Sequence, residues 1–286
     1  MVPIISVGII VILLLIRLLA GKKYNDFLKP FDGTFQFAFI APASLYIIDA
    51  LQIMKRFSNK LSSVQRKVAI VYHVETSVQG YTKMFIAEMI STIYAIFIVM
   101  AILNLARPED FRFIIFGLIV AIIIPLIWFR KLDDRVERRR LSIIYELPEF
   151  SNKVALLVNA GETVTKAIVD CARMKENEDH PLYEELNDMA LKIQNGDSFN
   201  KAMEIFSKRC GIQEVSSFTT TILLNYRRGG EHLSLALREI SRELWEKRKI
   251  IAKTRGEEAS SKLVFPMVLT FAAILIVIAY PALRMF

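Results

Sequence analysis

The chain has 286 residues, 53% of them apolar, and carries a formal net charge of +8. Its mean hydropathy of +0.38 is high for a chain with 23% charged residues, so the apolar residues must be concentrated in blocks. A basic charge is typical of nucleic-acid-binding proteins, but Lys and Arg also gather on the cytoplasmic side of membrane proteins, and the apolar blocks favour the membrane interpretation over a nucleic-acid partner. The only cysteines, Cys171 and Cys210, form no Cys-x-x-Cys pair, which argues against a disulfide framework or a zinc site.

Four apolar stretches are long enough to cross a bilayer, which takes about 20 helical residues. They cover residues 2–20, 84–105, 111–129 and 263–283. Lys22 and Lys23 follow the first stretch and nothing basic precedes it, so we predict an uncleaved anchor rather than a signal peptide. Only residues 106–110 separate the second stretch from the third, and this spacing predicts a transmembrane hairpin.

The basic residues beside these stretches predict their orientation, because Lys and Arg resist translocation. They concentrate in residues 22–83, 130–140 and 248–262, whereas the turn at 106–110 is nearly neutral. We therefore expect a multi-pass protein of the cytoplasmic membrane, with both termini outside and both long polar segments in the cytoplasm. The stretches lack interior Asp, Lys or His of the kind that marks an ion or substrate pathway, which argues against a transporter.

Residues 35–54 are also apolar, but they contain Pro42 and Asp49 and are followed by Lys55 and Arg56. A carboxylate inside the membrane is costly. A fifth span here would also place the following basic residues outside. We therefore expect a helix that lies on or near the membrane or packs on the cytoplasmic domain.

Six apolar stripes at helical spacing follow one another between residues 148 and 262, and no strand-like alternation appears. They begin near Phe150, Val164, Leu182, Phe199, Val215 and Leu233. Gly161, Gly196, Gly211 and Gly229 stand just past a stripe, where helix C-caps favour glycine, and Thr163 and Ser198 can act as N-caps. Pro148 and Pro181 suit the first turn of a helix. The sequence thus predicts an all-α membrane protein with about four transmembrane helices and a six-helix cytoplasmic bundle.

Similar octapeptides begin at Gly161, Gly196 and Gly230, a period of about 35 residues that a tetratricopeptide-type solenoid would also show. We favour a compact bundle, because there are three copies and no separate capping repeat. The last bundle helix continues beyond its stripe towards the last span, with Gly256 as its only obvious weak point. Such a helix would connect the bundle rigidly to the membrane.

No motif for covalent chemistry was found in the sequence. There is no phosphate-binding loop of the Walker type, and His73, His180 and His232 are scattered without metal-ligand spacing, so we expect surface residues or helix caps. We expect no catalytic residue, no cofactor and no metal, and predict that the chain is not an enzyme.

The motif Glu146-Leu-Pro-Glu-Phe150 and the segment 154–161 resemble the F-domain family of type II secretion and type IV pilus machines. The similarity continues through Lys166-Ala167, residues 199–202, Arg227-Arg-Gly-Gly230, residues 241–243 and the start of the last span at 264–266. It covers about residue 111 to the end. Residues 22–83 do not show the second copy of the domain that secretion F proteins carry, so the chain looks most like the platform proteins of Tad (Flp pilus) systems, TadC-like or TadB-like.

The resemblance implies a platform protein that works beside a hexameric motor ATPase, a paralogous platform protein and pilin, and we expect an oligomer in the lipid bilayer. We predict a partner-interaction surface on the resembling motifs, since charged residues are rarely core. It consists of Glu146, Glu149, Arg227, Arg228, Gly230 and Arg242. The alternative is a membrane-anchored sensor or a transporter with a helical cytoplasmic domain.

The predicted organisation has five parts. Residues 1–21 form the first transmembrane helix, and residues 22–83 form a basic cytoplasmic segment with an amphipathic or interfacial helix. Residues 84–129 form the hairpin, residues 130–262 the cytoplasmic F-domain and residues 263–286 the last transmembrane helix.

Overall fold

The structure, a computed structural model, describes residues 24–28, 40–56, 58–72, 77–106, 112–175, 178–226 and 230–284, with single residues elsewhere. Every regular element in these ranges is helical, and they contain no β-strand. The helices are α1 (Asn25–Leu28), α2 (Ala41–Ala50), α3 (Ile53–Arg56), α4 (Ser58–Tyr72), α5 (Val78–Ala106), α6 (Arg112–Asn159), α7 (Val164–Arg173), α8 (Pro181–Gln194), α9 (Phe199–Cys210), α10 (Gln213–Tyr226) and α11 (Gly230–Arg284). The predicted all-α class is confirmed.

Three helices are long and apolar enough to cross a membrane, judged by length and composition among the described residues. The qualifying parts are Val78–Asn104 of α5, Ile115–Asn159 of α6 and His232–Tyr280 of α11. They contain most of the second, third and fourth predicted spans. The first predicted span, residues 2–20, lies outside the described residues apart from a few single positions.

The chain divides into two compact units, Met1–Arg139 and Arg140–Phe286, and the boundary falls within α6. In the first unit, α5 and the start of α6 lie side by side. The ring of Phe85 contacts the ring of Trp128, with centroids 5.7 Å apart. A Cβ at Gly117 would lie 3.4 Å from the Met100 side chain.

Helix α2 packs against α5 through its buried small residues. The Ser44 hydroxyl lies 2.9 Å from that of Ser91, with both side chains buried. At the other end of α2, Asp49 pairs with Lys83 at 2.7 Å and accepts a hydrogen bond from the Tyr24 hydroxyl at 2.9 Å. Since these contacts run antiparallel along α5, the helix within residues 35–54 packs alongside a candidate membrane span.

The second unit is built from six helical segments around one core, as the six stripes predicted: the end of α6, α7, α8, α9, α10 and the first half of α11. Its largest fully buried side chains include Phe150, Tyr183, Phe206 and Phe218. The core also holds both cysteines as free thiols.

The predicted helix ends are largely confirmed. Gly161, Gly196 and Gly211 have φ values of 98°, 96° and 64°, the left-handed conformation that other residues rarely adopt. The N-caps Thr163 and Ser198 accept hydrogen bonds from the backbone three residues on. Gly229 lies outside the described residues.

The prediction for Pro148 is wrong. Pro181 begins α8, but Pro148 lies deep inside α6, which runs without interruption from Arg112 to Asn159. A proline inside a helix removes one backbone hydrogen bond and crowds the carbonyl four residues earlier. Contacts from α11 surround this position.

Candidate functional site

The end of α6 and the first half of α11 are joined by two reciprocal hydrogen bonds from buried serines. The Ser151 hydroxyl of α6 donates to the carbonyl of Leu237 at 3.3 Å, and the Ser241 hydroxyl of α11 donates to the carbonyl of Pro148 at 3.0 Å. Leu237 and Leu244 fill the core on either side of these bonds. The two helices are thus fixed at a defined register.

Arg248 of α11 covers the backbone of α6 beside the internal proline. Pro148 has no N–H to offer the Ile144 carbonyl, and the next carbonyl, that of Tyr145, accepts a hydrogen bond from the Arg248 guanidinium at 2.8 Å. The guanidinium carbon also lies 5.4 Å from the ring centre of Tyr145 and 4.8 Å from that of Trp245. A planar guanidinium can make such a bond and stack on aromatic rings together, so Arg248 suits this position.

A second polar network joins α6 to the start of α8. Glu146 accepts hydrogen bonds from Lys175 at 2.7 Å and from the Tyr183 hydroxyl at 2.9 Å. Burial, followed by the bond to Glu146, raises the pKa of Tyr183 well above its ordinary value, so this hydroxyl stays a donor. Within this network Glu146 holds two elements of the bundle together.

His180 caps α8, as predicted for a histidine of this kind. Its Nδ1 accepts from the backbone N–H of Leu182 at 3.2 Å, and its Nε2 lies 2.8 Å from the Ser142 hydroxyl. Accepting at Nδ1 requires the neutral ring protonated on Nε2. Burial lowers the pKa of His180, which favours this neutral form.

Two buried carboxylates complete the bundle. Glu214 of α10 pairs with Lys247 of α11 at 2.5 Å and lies 3.7 Å from Arg140 of α6. Burial alone would raise the pKa of Glu214, but the ion pair with Lys247 outweighs it and holds this pKa below its ordinary value. Glu185 of α8 pairs with Arg209 of α9 at 2.6 Å. The charged residues therefore connect neighbouring helices.

The six residues of the predicted interaction surface differ in their surroundings. Glu149 pairs with Lys153 on α6 at 2.7 Å, and Arg242 pairs with Glu239 on α11 at 2.8 Å, with 75% of the Arg242 side chain exposed. Glu146 is half-buried in the network above, and Gly230 is the first residue of α11. Arg227 and Arg228 lie outside the described residues. The predicted surface as a whole stays a prediction.

Sequence reasoning missed Ser151, Ser241 and Arg248, although two of them carried a signal. Ser151 and Ser241 lie at helical spacing from the apolar residues of their own stripes, and a serine inside a buried stripe needs a hydrogen-bond partner. Arg248 offered no comparable signal. Within the described ranges, no group of His, Cys, Asp and Glu side chains is arranged to hold a metal ion.

Residues 150–281 match the family model described as type II secretion system (T2SS), protein F. This part of the chain is a T2SS protein F domain. Neither the curated proteins nor the solved structures gave a match to the chain. The F domain begins in the last third of α6, includes every other bundle helix and ends within α11, so the serine bonds and Arg248 lie in it or act on the helix that leads into it.

The match over residues 150–281 and the apolar helices together support an all-α membrane protein of a secretion-type system. Within the F domain, α11 runs from the bundle core into a stretch that can cross a membrane. The junction of α6 and α11 therefore fixes the part of α11 that leads towards that stretch, and we take it as the candidate functional site.

Proposed function

We propose that this chain is a platform protein of the cytoplasmic membrane in a Tad/Flp-type pilus or type II secretion-like machine. Its F domain receives movement from a hexameric motor ATPase, and its spans guide pilin out of the bilayer during filament assembly. A paralogous platform protein and a second copy of the chain complete the assembly. The protein itself performs no covalent chemistry.

The continuity of α11 is the observation that carries this proposal. One helix of 55 residues contains core residues of the bundle, such as Leu237 and Leu244, and a stretch from Leu263 to Tyr280 whose apolar side chains are exposed. Exposed apolar residues over this length need a lipid or protein partner. Movement of the bundle would therefore reach the membrane through one continuous helix.

The cleft beside Glu214 and Lys247 gives no support to the sensor alternative. It lies between α10 and α11 and encloses about 100 Å³. Binding pockets for small molecules usually enclose about 300–1,000 Å³ and are mostly apolar. Charged side chains that already form an ion pair line this cleft.

The proposal is tested by capturing the motor ATPase encoded nearby with the full chain in lipid nanodiscs. We expect capture to fall when Arg242→Glu reverses an exposed charge on the predicted surface. Lys201→Glu is the matched control, because Lys201 is 64% exposed and also forms a one-turn ion pair, but lies on α9 and is not one of the residues of that surface. Failure to capture any ATPase at low salt, or equal capture by both variants, contradicts the proposed docking role.

Orientation has its own test. Gln194 is exposed at the end of α8. We expect a cysteine placed there to react with a membrane-impermeant maleimide only after cells are opened. Reaction in spheroplasts, whose cytoplasmic membrane is still intact, would place the bundle outside and contradict the proposal.

A further inference from the structure

Residues 252–262 of α11, which we call the stalk, connect the bundle to the apolar stretch without support from any other described element. Ile251 still packs against the bundle core, but every residue from Ala252 to Lys262 is exposed. At about 1.5 Å per residue the stalk is roughly 16 Å long. A helix that is exposed and polar all round depends on its own propensity and on pairs of side chains one turn apart.

The stalk has little helix propensity and little support from side-chain pairs one turn apart. Its ion pair between Lys253 and Glu257 is 3.9 Å long, and the two side chains are 80% and 67% exposed. An exposed pair of this kind contributes a few tenths of a kcal/mol at most. Thr254, Ser260 and Ser261 are weaker helix formers than alanine.

Gly256 lies in the middle of the stalk without a steric reason. A Cβ built on it meets no described atom within 4 Å, and its backbone does not adopt the left-handed conformation. Alanine would fit without strain and would favour the helix more strongly, since glycine has more freedom to lose on folding. The residue therefore weakens the helix at a place where no contact with the described residues requires a glycine.

Both neighbours of the stalk are more restrained. On the bundle side, α11 is fixed by the Ser241 bond and by Arg248. On the membrane side, Pro266 removes the backbone bond to the Lys262 carbonyl, but its ring also fixes its own φ, which favours a fixed kink over free bending. Bending of α11 should therefore concentrate around Gly256.

We infer that Gly256 is a hinge in the stalk, which lets the last span change direction while the bundle stays folded. The purpose of the hinge rests on the proposed function, but its existence does not. Whether the hinge exists can be measured without an ATPase or pilin.

Hydrogen exchange of the full chain in nanodiscs tests the hinge directly. We expect amides of the stalk to exchange faster than those of residues 237–247, and Gly256→Ala to slow stalk exchange two- to fivefold, the equivalent of about 0.5–1 kcal/mol. Stalk amides that exchange as slowly as those of residues 237–247, or a Gly256→Ala variant with unchanged exchange, would overturn the inference.

Two further variants separate a hinge from a close contact with another helix. Exchanging Ala252 and Gly256 (Ala252→Gly with Gly256→Ala) moves the glycine by one turn and should restore wild-type exchange. Gly256→Leu should slow exchange much as Gly256→Ala does, because leucine is also a good helix former. If Gly256→Ala leaves filament assembly intact and only Gly256→Leu blocks it, the glycine serves a close contact, and the role of the hinge in assembly is refuted.

The assembly assay then shows whether the hinge is used. We expect Gly256→Ala to reduce assembly severalfold with ATPase capture unchanged, and the exchanged variant to restore it. Loss of ATPase capture in the wild-type chain would instead be a failure of the proposed function.

Discussion

Arg248 allows the sharpest test of the junction between α6 and α11. Replacing it with methionine keeps an unbranched stem but removes the hydrogen bond to the Tyr145 carbonyl at 2.8 Å and the stacking on Trp245 at 4.8 Å. The Tyr145 carbonyl lies beside the backbone position that Pro148 deprives of a donor. We therefore expect Arg248 to matter more than a partly exposed arginine usually does.

The magnitude follows from these contacts. A hydrogen bond from a charged donor contributes about 1.5–3 kcal/mol, and the lower end applies here because Arg248 is only half-buried. Stacking on an exposed aromatic ring adds about 0.5–1 kcal/mol. We expect Arg248→Met to lower the free energy of unfolding by about 2 kcal/mol. Arg248→Lys should recover less than half, because an ammonium group cannot make the bond and the stacking together.

The assay is thermal unfolding of the full chain in nanodiscs, followed by tryptophan fluorescence. A loss of about 2 kcal/mol should lower Tm by roughly 4–8 °C. Lys249→Met is the matched control, since Lys249 is 70% exposed and pairs with Glu246, three residues earlier. It should change stability by less than about 0.5 kcal/mol.

A double-mutant cycle with Pro148→Ala tests whether the effect of Arg248→Met depends on the internal proline. Alanine restores the N–H that proline lacks, so the backbone of α6 should depend less on Arg248. We expect Arg248→Met to destabilise by about 1 kcal/mol less in the Pro148→Ala background. An equal effect in both backgrounds, or an effect no larger than that of Lys249→Met, would refute the link between Arg248 and the internal proline.

Three other expectations follow from buried contacts. Arg209→Ala should destabilise by about 3–5 kcal/mol in the same unfolding assay, because it leaves the Glu185 carboxylate, 2% exposed, without its counter-charge. His180→Asn should remove the part of the stability that is lost as pH falls from about 7 to 5, measured as Tm against pH. Since burial lowers the pKa of His180, the folded protein favours the neutral ring, and acid favours the unfolded chain. Ser44→Cys with Ser91→Cys should form a disulfide under mild oxidation, because the two hydroxyls are 2.9 Å apart.

Each of these variants has a matched control variant. If a variant and its control give the same result, the expectation for that variant is wrong. Arg242→Ala removes an arginine with 75% of its side chain exposed and should change stability little. His232→Asn alters an exposed histidine and is the control for His180→Asn. Tyr46→Cys with Ser91→Cys should crosslink poorly, because Ser44 is the α2 residue bonded to Ser91. Equal crosslinking by both pairs would contradict the observed packing of α2.

The comparison of Pro148 with Pro181 shows which part of the fold the sequence could predict. The same rule places both prolines in the first turn of a helix, and Pro181 does lie there because a polar segment precedes it. Pro148 is preceded by the apolar positions Leu141, Ile143, Ile144 and Leu147, which continue one buried helix face. The α11 side chains that bond to the backbone beside it, Ser241 and Arg248, lie about a hundred residues away and cannot be found from the local sequence.

The same distinction holds for the candidate site. The stripes and glycine caps were predictable, because they depend on spacing within one helix. Glu146 was assigned to a surface on its charge, whereas the structure surrounds it with Lys175 and Tyr183 from other elements. When the partner of a carboxylate comes from another element, the local sequence around the carboxylate does not show that it is paired.

The reciprocal serine bonds have a consequence for how force could be carried. Each hydroxyl donates a hydrogen bond to a carbonyl on the opposite helix. Sliding α11 along α6 by one residue, about 1.5 Å, would therefore break both hydrogen bonds together. Side chains that merely interdigitate could slip past one another in small steps. A push along the axis of α11 would therefore move α6 together with the part of α11 that precedes the stalk, without slippage between the two helices.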